Sequence, residues 1–389
     1  MTNTKSHNPF INRRDLLHMI GGGFGMYGYA SLLENSGFLA DSACNPSNPL
    51  AIKATHFPAK AKRVIYLFMN GGLSEVDTFD PKPMLTKYDG QPMPGEYLKT
   101  ERKTGNLMRS PFQFKKYGQS GIEVSELFSK VAEHIDDICV IRSMYTDVPN
   151  HGPGMFLMNS GHLQPGRPSV GSWITYGLGT ENQNLPGFIA MSPRAQPRGK
   201  LANWGNSFLP GAYSGTYVNI HEMSPDAILR DLKNQYLGSG DQYRQTELLT
   251  RLNKIHLERQ QQDQALESSI QAMEMAFRMQ FAVPEAFDLN QETKTTLEMY
   301  GTSEYAKGCL LSRRLIERGV RVVQLSHSID GYDIAWDTGH SDIRNGHARL
   351  AKACDQGIAA LIKDLKQRGL FEDCLLYTSD AADDTPCVD

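Results

Sequence analysis

Residues Arg63–Pro83 read RVIYLFMNGGLSEVDTFDPKP, and this stretch decides the fold. Its first part, Val64–Met69, is an almost continuous apolar run, as expected for a strand buried on both faces of a parallel sheet. The run ends at Asn70-Gly71-Gly72, where glycine permits backbone conformations closed to other residues. In open α/β sheets, ligands bind at this carboxyl edge of the strands. We therefore predict an α/β fold with a functional site directly after its first strand.

The polar residues that follow this strand are candidates for chemistry. They are Ser74, Glu75, Asp77, Thr78 and Asp80. Several carboxylates and hydroxyls at one edge suit a divalent metal ion or an anionic ester. The structural alternative is an ordinary capped turn, because Asp80-Pro81 and Lys82-Pro83 are common turn sequences.

The composition excludes some classes of partner. The chain has 389 residues, enough for one large domain or two smaller ones. Its net charge of −3 gives no reason to expect nucleic acid or an anionic membrane surface as a partner. A mean hydropathy of −0.42, with no long apolar run after the N-terminus, argues against an integral membrane protein.

Both ends of the chain are predicted to lie outside the folded domain. Paired arginines, Arg13-Arg14, precede a Gly-rich apolar stretch, so residues 1–55 resemble a twin-arginine export signal and leader, and we expect a periplasmic or extracellular protein. The alternative is a solvated basic turn before an amphipathic helix. Residues 374–389 look like the translation of a sequencing adapter, and we expect them to be non-native. The alternative there is a natural acidic tail.

The segment after the first strand predicts a strand–helix–strand unit. Tyr88–Gln119 has no clear period and is expected to be a long excursion that borders the site. Glu126–Asp136 has the apolar spacing of an amphipathic helix capped by Ser125. Ile138–Met144 is predicted to be the second strand of the unit.

A second landmark begins at Asn150-His151-Gly152-Pro153-Gly154. A Gly-Pro-Gly turn that leads into an apolar helix is expected to leave free backbone N–H groups beside His151, which favours an anion site. His162, further along, is expected to be a surface residue. Val170–Leu178 is predicted to be a helix and Phe188–Met191 a strand.

The last part of the chain returns to the α/β pattern after a change in character. Residues 224–302 carry long Gln-, Glu- and Leu-rich runs and are predicted to be a helical insertion. We then expect a helix at Tyr305–Arg318, a strand at Val320–Leu325 and a long amphipathic helix at Ile343–Arg368. His347 lies early in that helix and is expected on its polar face.

Histidines and aspartates cluster again after this last strand. They are His327, Asp333, Asp337 and His340. An isolated histidine is usually structural, but this combination suits divalent-metal ligation or general acid–base chemistry.

Three stretches together resemble a known family: Arg63–Pro83, Asn150–Trp173, and Val320–His340 with the helix after it. The family is the exported, sulfatase-like domain of unknown function 1501 in the alkaline phosphatase superfamily. The resemblance implies a three-layer α/β/α sandwich with a mixed, mostly parallel sheet over residues 56–373 and a metal-centred ester site. It also implies that the native chain continues into a strand carrying an acidic residue and a later Asp-His pair, so that this sequence is truncated at its C-terminus.

The same resemblance raises a question about the nucleophile. Sulfatases carry Cys-x-Pro-Ser-Arg, in which the cysteine becomes formylglycine; His151 stands at the place of that cysteine and Met155 at that of the arginine. In this register, formylglycine chemistry is excluded. His151 then binds metal or attacks directly, or Ser74 or Thr78 supplies the hydroxyl, or the site binds without turnover.

The resulting prediction is an exported, metal-dependent hydrolase that acts on sulfate or phosphate esters of a small molecule or polysaccharide. The expected catalytic residues are His151, Ser74, Thr78 and His327, and the expected ligands of a divalent ion (Zn, Ca or Mg) are Asp77, Asp80, Asp337 and His340. The first alternative is a non-catalytic exported binding or surface protein on the same fold. A phosphomutase-like enzyme is the second.

Overall fold

The computed structural model describes residues 49–95, 105–144, 150–194, 196–221, 282–328, 335–340 and 342–380, together with single positions at 146 and 148 and between 241 and 279. The chain divides into two compact units, Met1–Pro49 and Leu50–Asp389. The elements of structure given below belong to the second unit. Most of the predicted leader and most of the predicted helical insertion lie outside the described residues.

A parallel sheet forms the centre of the second unit. In the part of the chain that the structure describes, this sheet has five strands in the order β5-β4-β6-β1-β7, and every neighbouring pair is parallel. The strands are β1 Arg63–Met69, β4 Phe188–Ser192, β5 Thr216–Asn219, β6 Val322–Ser326 and β7 Cys374–Asp380, and a separate antiparallel hairpin consists of β2 Phe114–Tyr117 and β3 Ile122–Ser125.

Helices cover both faces of the sheet. They are α1 Pro83–Lys87, α2 His151–Ser160, α3 Val170–Leu178, α4 Lys294–Tyr300, α5 Glu304–Glu317 and α6 Ile343–Gln367. Alternate residues of β1 point to opposite faces: Leu67 belongs to the same buried cluster as Leu311 of α5 and Leu361 of α6, whereas Phe68 packs with Met155 of α2. The predicted α/β fold is therefore confirmed.

The strongest periodic patterns gave the most accurate predictions. The predicted strands at Val64–Met69 and Phe188–Met191 are present, and α3 has the predicted bounds Val170–Leu178. The predicted helices at Tyr305–Arg318 and Ile343–Arg368 are α5 and α6. Within the described residues, no helix is both long and apolar enough to cross a membrane.

The predicted strand–helix–strand unit is wrong. Residues 138–144 form no strand, because β6 and β7 already occupy both hydrogen-bonding edges of β1. Glu126–Asp136 forms two 3₁₀ helices, Glu126–Phe128 and Val131–Asp137, rather than one α-helix. Ser125 does cap the first of them, accepting a hydrogen bond from the N–H of Leu127.

The segment predicted to be an irregular excursion also contains regular structure. Residues Phe114–Tyr117 form the first strand of the β2–β3 hairpin. At the other end of the chain, β7 lies in the segment 374–389 that was predicted to be non-native, and it pairs with β1 over its whole length, from Arg63↔Cys374 to Met69↔Asp380.

Two glycines of α3 test the packing of this helix on the sheet. A Cβ added at Gly171 would lie 2.5 Å from the ring of Phe188 in β4, whereas a Cβ at Gly177 meets nothing within 4 Å. We expect Gly171→Ala to lower the free energy of unfolding by about 1–3 kcal/mol through overpacking. Gly177→Ala should raise it by up to about 1 kcal/mol through helix propensity. Urea unfolding of both variants measures the difference, and equal stabilities would contradict this packing.

Candidate functional site

Trp336 anchors the segment that carries the candidate residues at the carboxyl edge of the sheet. It belongs to a 3₁₀ helix, Ala335–His340, and its side chain is fully buried. Its backbone N–H donates to the carbonyl oxygen of Asn70 at the end of β1, over 2.8 Å. Its indole Nε1–H donates to Nδ1 of His327 just beyond β6, also over 2.8 Å. The short helix is thus attached to the ends of two neighbouring strands.

His327 is held in one tautomer. Because Nδ1 accepts the indole hydrogen bond, the neutral ring carries its proton on Nε2. No described residue accepts a hydrogen bond from Nε2, although the ring is fully buried. Burial lowers the pKa of His327 to about 3, so the ring is neutral throughout the physiological range.

Asp77 accepts hydrogen bonds from two serine hydroxyls. Ser74 Oγ donates to Oδ2 over 2.7 Å, and Ser110 Oγ donates to Oδ1 over 2.6 Å. The carboxylate is buried. Ser110 lies in the segment predicted to border the site, but no sequence pattern marked it as a partner of Asp77.

His347 of α6 was expected on a polar face, and this prediction is wrong. Its side chain is 3 % exposed, and its ring centroid lies 5.4 Å from that of Trp336. Burial lowers its pKa, although the nearby charge of Asp77 acts in the opposite direction. The sequence does contain a signal, because His347 precedes Leu350, Ala351 and Cys354 at the i+3, i+4 and i+7 spacing of a buried helix face.

His151 and Asp337 come together from two elements. His151 is the first residue of α2 and is buried, and its Nε2 lies 3.3 Å from Oδ2 of Asp337. Asp337 directly follows Trp336, so the anchor of that residue also fixes the position of the carboxylate.

The predicted anion site at the start of α2 has few donors to offer. The N–H of Gly152 already donates to the Asn150 side chain over 3.1 Å, and the N–H of Gly154 donates to the Asn150 carbonyl over 3.0 Å. Pro153 has no N–H. Backbone donors beside His151 are therefore largely used by the helix cap itself.

Two other candidates make local contacts. Thr78 is buried, and its Oγ1 donates to the carbonyl oxygen of Ser74 over 2.7 Å. Asp80 is paired with two cations: its Oδ2 lies 3.1 Å from Lys82 Nζ, and its Oδ1 lies 3.6 Å from Arg142 Nε. These contacts are those of a capped, ion-paired turn.

The described residues do not by themselves contain a complete metal site. Among these residues, no group of three or more His, Cys, Asp or Glu side chains is arranged to hold one. Asp77 accepts two hydroxyls, Asp80 is ion-paired and Asp337 faces His151. Asp333 and the side chain of His340 lie outside the described residues. Metal binding stays a prediction.

Comparison with known proteins identifies a family. A family model described as "Protein of unknown function (DUF1501)" matches residues 61–379. The chain belongs to this family. No curated protein and no solved structure matches it. The DUF1501 match covers the chain from β1 to α6, which carries the candidate site residues, and it extends through most of β7. Non-native sequence at 374–389 stays a prediction.

The buried imidazole of His327 predicts a pH dependence of stability. Its pKa is about 3 in the folded chain and about 6.5 when exposed, so between these values the unfolded chain binds the extra proton. The contribution of His327 to the free energy of unfolding is therefore fully present above about pH 6.5. It falls as the pH decreases toward 3, by up to about 1.4 kcal/mol per pH unit.

In His327→Gln, the slope of the free energy of unfolding against pH should be smaller by the contribution of about one proton, because the titrating group is absent. His162→Gln, a change at an exposed histidine, is the matched control and should keep the slope of the parent chain. Urea unfolding between pH 7 and pH 4 measures all three chains. Parallel curves for parent and His327→Gln would show that His327 protonates freely in the folded state.

Proposed function

We propose that this carboxyl edge binds and hydrolyses an ester of phosphate or sulfate, in a domain of the alkaline phosphatase and sulfatase type. The observation that carries the proposal is the approach of His151 Nε2 to Asp337 Oδ2 at 3.3 Å. A histidine oriented by a carboxylate, at the edge of a parallel sheet, is an arrangement suited to general acid–base catalysis.

The proposed reaction is a hydrolysis in which all atoms are supplied by the ester and one water molecule. The oxygen of water forms a bond to phosphorus or sulfur, and the bond from that atom to the alcohol oxygen breaks. His151 accepts a proton from the water and returns one to the departing alcohol. Asp337 orients the ring and stabilises its protonated form. The products are the alcohol and the inorganic anion.

Ser74 offers a second source of the attacking oxygen. Its Oγ donates a hydrogen bond to the buried carboxylate of Asp77, which is the arrangement of a hydroxyl beside a base. Thr78 is a poorer candidate, because its hydroxyl donates to a backbone carbonyl. An ester of the enzyme at Ser74, trapped and located by mass spectrometry, would distinguish this route from direct attack by water.

The proposal also includes export of the protein and binding of a divalent metal ion. Export rests on Arg13-Arg14 and the Gly-rich stretch after it, which lie outside the described residues. The proposal that a divalent ion binds is based on the family resemblance to sulfatases. The hydrolysis is described through His151, Asp337 and water alone. Assays with and without chelator, and with added Zn²⁺, Ca²⁺ or Mg²⁺, measure its contribution.

We expect the full chain to hydrolyse aryl phosphates or aryl sulfates, with the activity depending on the His151–Asp337 pair. His151→Gln should lower kcat/KM by at least about 100-fold, because the proton-transferring group is lost. Asp337→Asn should lower it less, since the ring remains but loses its charged partner. His162 is exposed and lies beyond the C-terminal end of the same helix, so His162→Gln is the control and should leave kcat/KM unchanged.

A non-catalytic binding protein is the second candidate. The specific observation in its favour is that Asp80 and Thr78, two of the predicted chemical groups, are used by ion pairs and by the backbone. Complete absence of turnover in every metal condition, with anions still protecting the chain against thermal unfolding, would favour this function over hydrolysis.

A further inference from the structure

Asn70 carries a buried side-chain amide that is unpaired among the described residues. Its side chain is 0 % exposed, yet neither Oδ1 nor Nδ2 has a hydrogen-bond partner among the described residues. Burying an amide without partners destabilises a protein, so such groups are uncommon unless a ligand completes them.

The backbone places this amide beside the proposed site. Tyr66 and Phe68 of β1 pack with Met155 of α2, and Asn70 is the residue directly after β1. The carbonyl of Asn70 accepts the backbone N–H of Trp336, whose successor Asp337 faces His151. Asn70 thus lies at the carboxyl edge, and its backbone is hydrogen-bonded to the residue next to Asp337.

Asn159, a second buried amide, differs from Asn70 because its side chain is hydrogen-bonded. Asn159 of α2 uses both ends of its side chain: Nδ2 donates to the carbonyl of Met155 over 2.8 Å, and Oδ1 accepts from Gln324 Nε2 over 3.0 Å. An amide whose role is to hold α2 on the sheet therefore finds its partners within the protein. Asn70, directly after β1, has no such partner among the described residues.

We propose that Asn70 contacts the substrate and selects a phosphate group that carries an O–H over a sulfate group. This inference rests on the proposed function and concerns the same site. An amide offers one donor group and one acceptor. Nδ2–H would donate to an anionic oxygen, and Oδ1 would accept from the P–O–H group.

The two candidate ester classes differ in this respect. A phosphate monoester carries an O–H below its second pKa of about 6, and inorganic phosphate retains one throughout the neutral range. A sulfate ester has only acceptor oxygens, so it would leave Oδ1 of Asn70 facing lone pairs. Sites built to hydrogen-bond a ligand O–H reject analogues that lack it, because the buried protein group is then unpaired.

Binding of inorganic phosphate and sulfate to the full chain tests this directly. Near pH 8 both ions are dianions, but only phosphate has an O–H. Isothermal titration should show phosphate binding at least about tenfold more tightly than sulfate. In Asn70→Leu, phosphate affinity should fall to the level of sulfate. Asn70→Asp keeps the size and an acceptor oxygen but adds a negative charge, so it should weaken both ions.

Thermal unfolding separates a ligand-binding role from a structural one. Asn70→Leu removes two buried polar atoms that have no partner among the described residues, so its Tm should equal or exceed that of the parent chain. Asn159→Leu, the matched change at a paired amide, should lower the Tm. A marked fall in Tm for Asn70→Leu would instead show that Asn70 supports the fold, and would overturn the proposal.

The remaining outcomes distinguish this inference from the proposed function. Equal binding of the two ions, binding of neither ion, or a phosphate preference retained in Asn70→Leu would each overturn the role of Asn70. Ester hydrolysis together with equal binding would leave the proposed function standing alone. Phosphate preference that depends on Asn70, without any ester turnover, would support the inference and count against hydrolysis.

Discussion

The hydrogen bonds of Trp336 are the constraint on which the candidate site depends. The indole N–H fixes His327 beyond β6, and the backbone N–H fixes the end of β1 through the carbonyl of Asn70. Because Asp337 is the next residue, the distance from its carboxylate to His151 is set by the same anchor. Loss of these two hydrogen bonds would release the short helix Ala335–His340 from the ends of β1 and β6. A single buried tryptophan thus connects strand pairing with the chemistry at the edge.

The sheet topology explains why the polar groups gather there. In parallel sheets covered by helices on both faces, ligands bind at the carboxyl edge of the strands. α2 brings His151 from one face, and α6 brings His347 from the other. Backbone and side-chain pairing satisfies most polar groups in the layers below. Two buried groups that have no hydrogen-bond partner among the described residues, the Asn70 amide and His327 Nε2, lie directly after strands β1 and β6, where a ligand can complete them.

Sequence reasoning predicted the fold where the pattern was long and apolar. Residues Arg63–Met69 and α6 were recognisable because burial on both faces or along one helix face imposes a period. Residues 138–144 were mistaken for a strand because a local apolar run does not show which strands occupy the edges of β1. The types of residue at the site could be predicted from the sequence, but the contacts between their side chains could not. Only the folded chain shows that Ser110 contacts Asp77 or that Asp80 is ion-paired.

The most direct test of the account is a crystal structure of the full chain grown in inorganic phosphate. The account predicts a phosphate ion at the carboxyl edge, with oxygens within hydrogen-bond distance of Asn70 Nδ2 and of the His151 ring, and with Trp336 still bonded to His327. It would be contradicted if Asn70 were bonded to protein groups and the edge between β1 and the start of α2 held no anion.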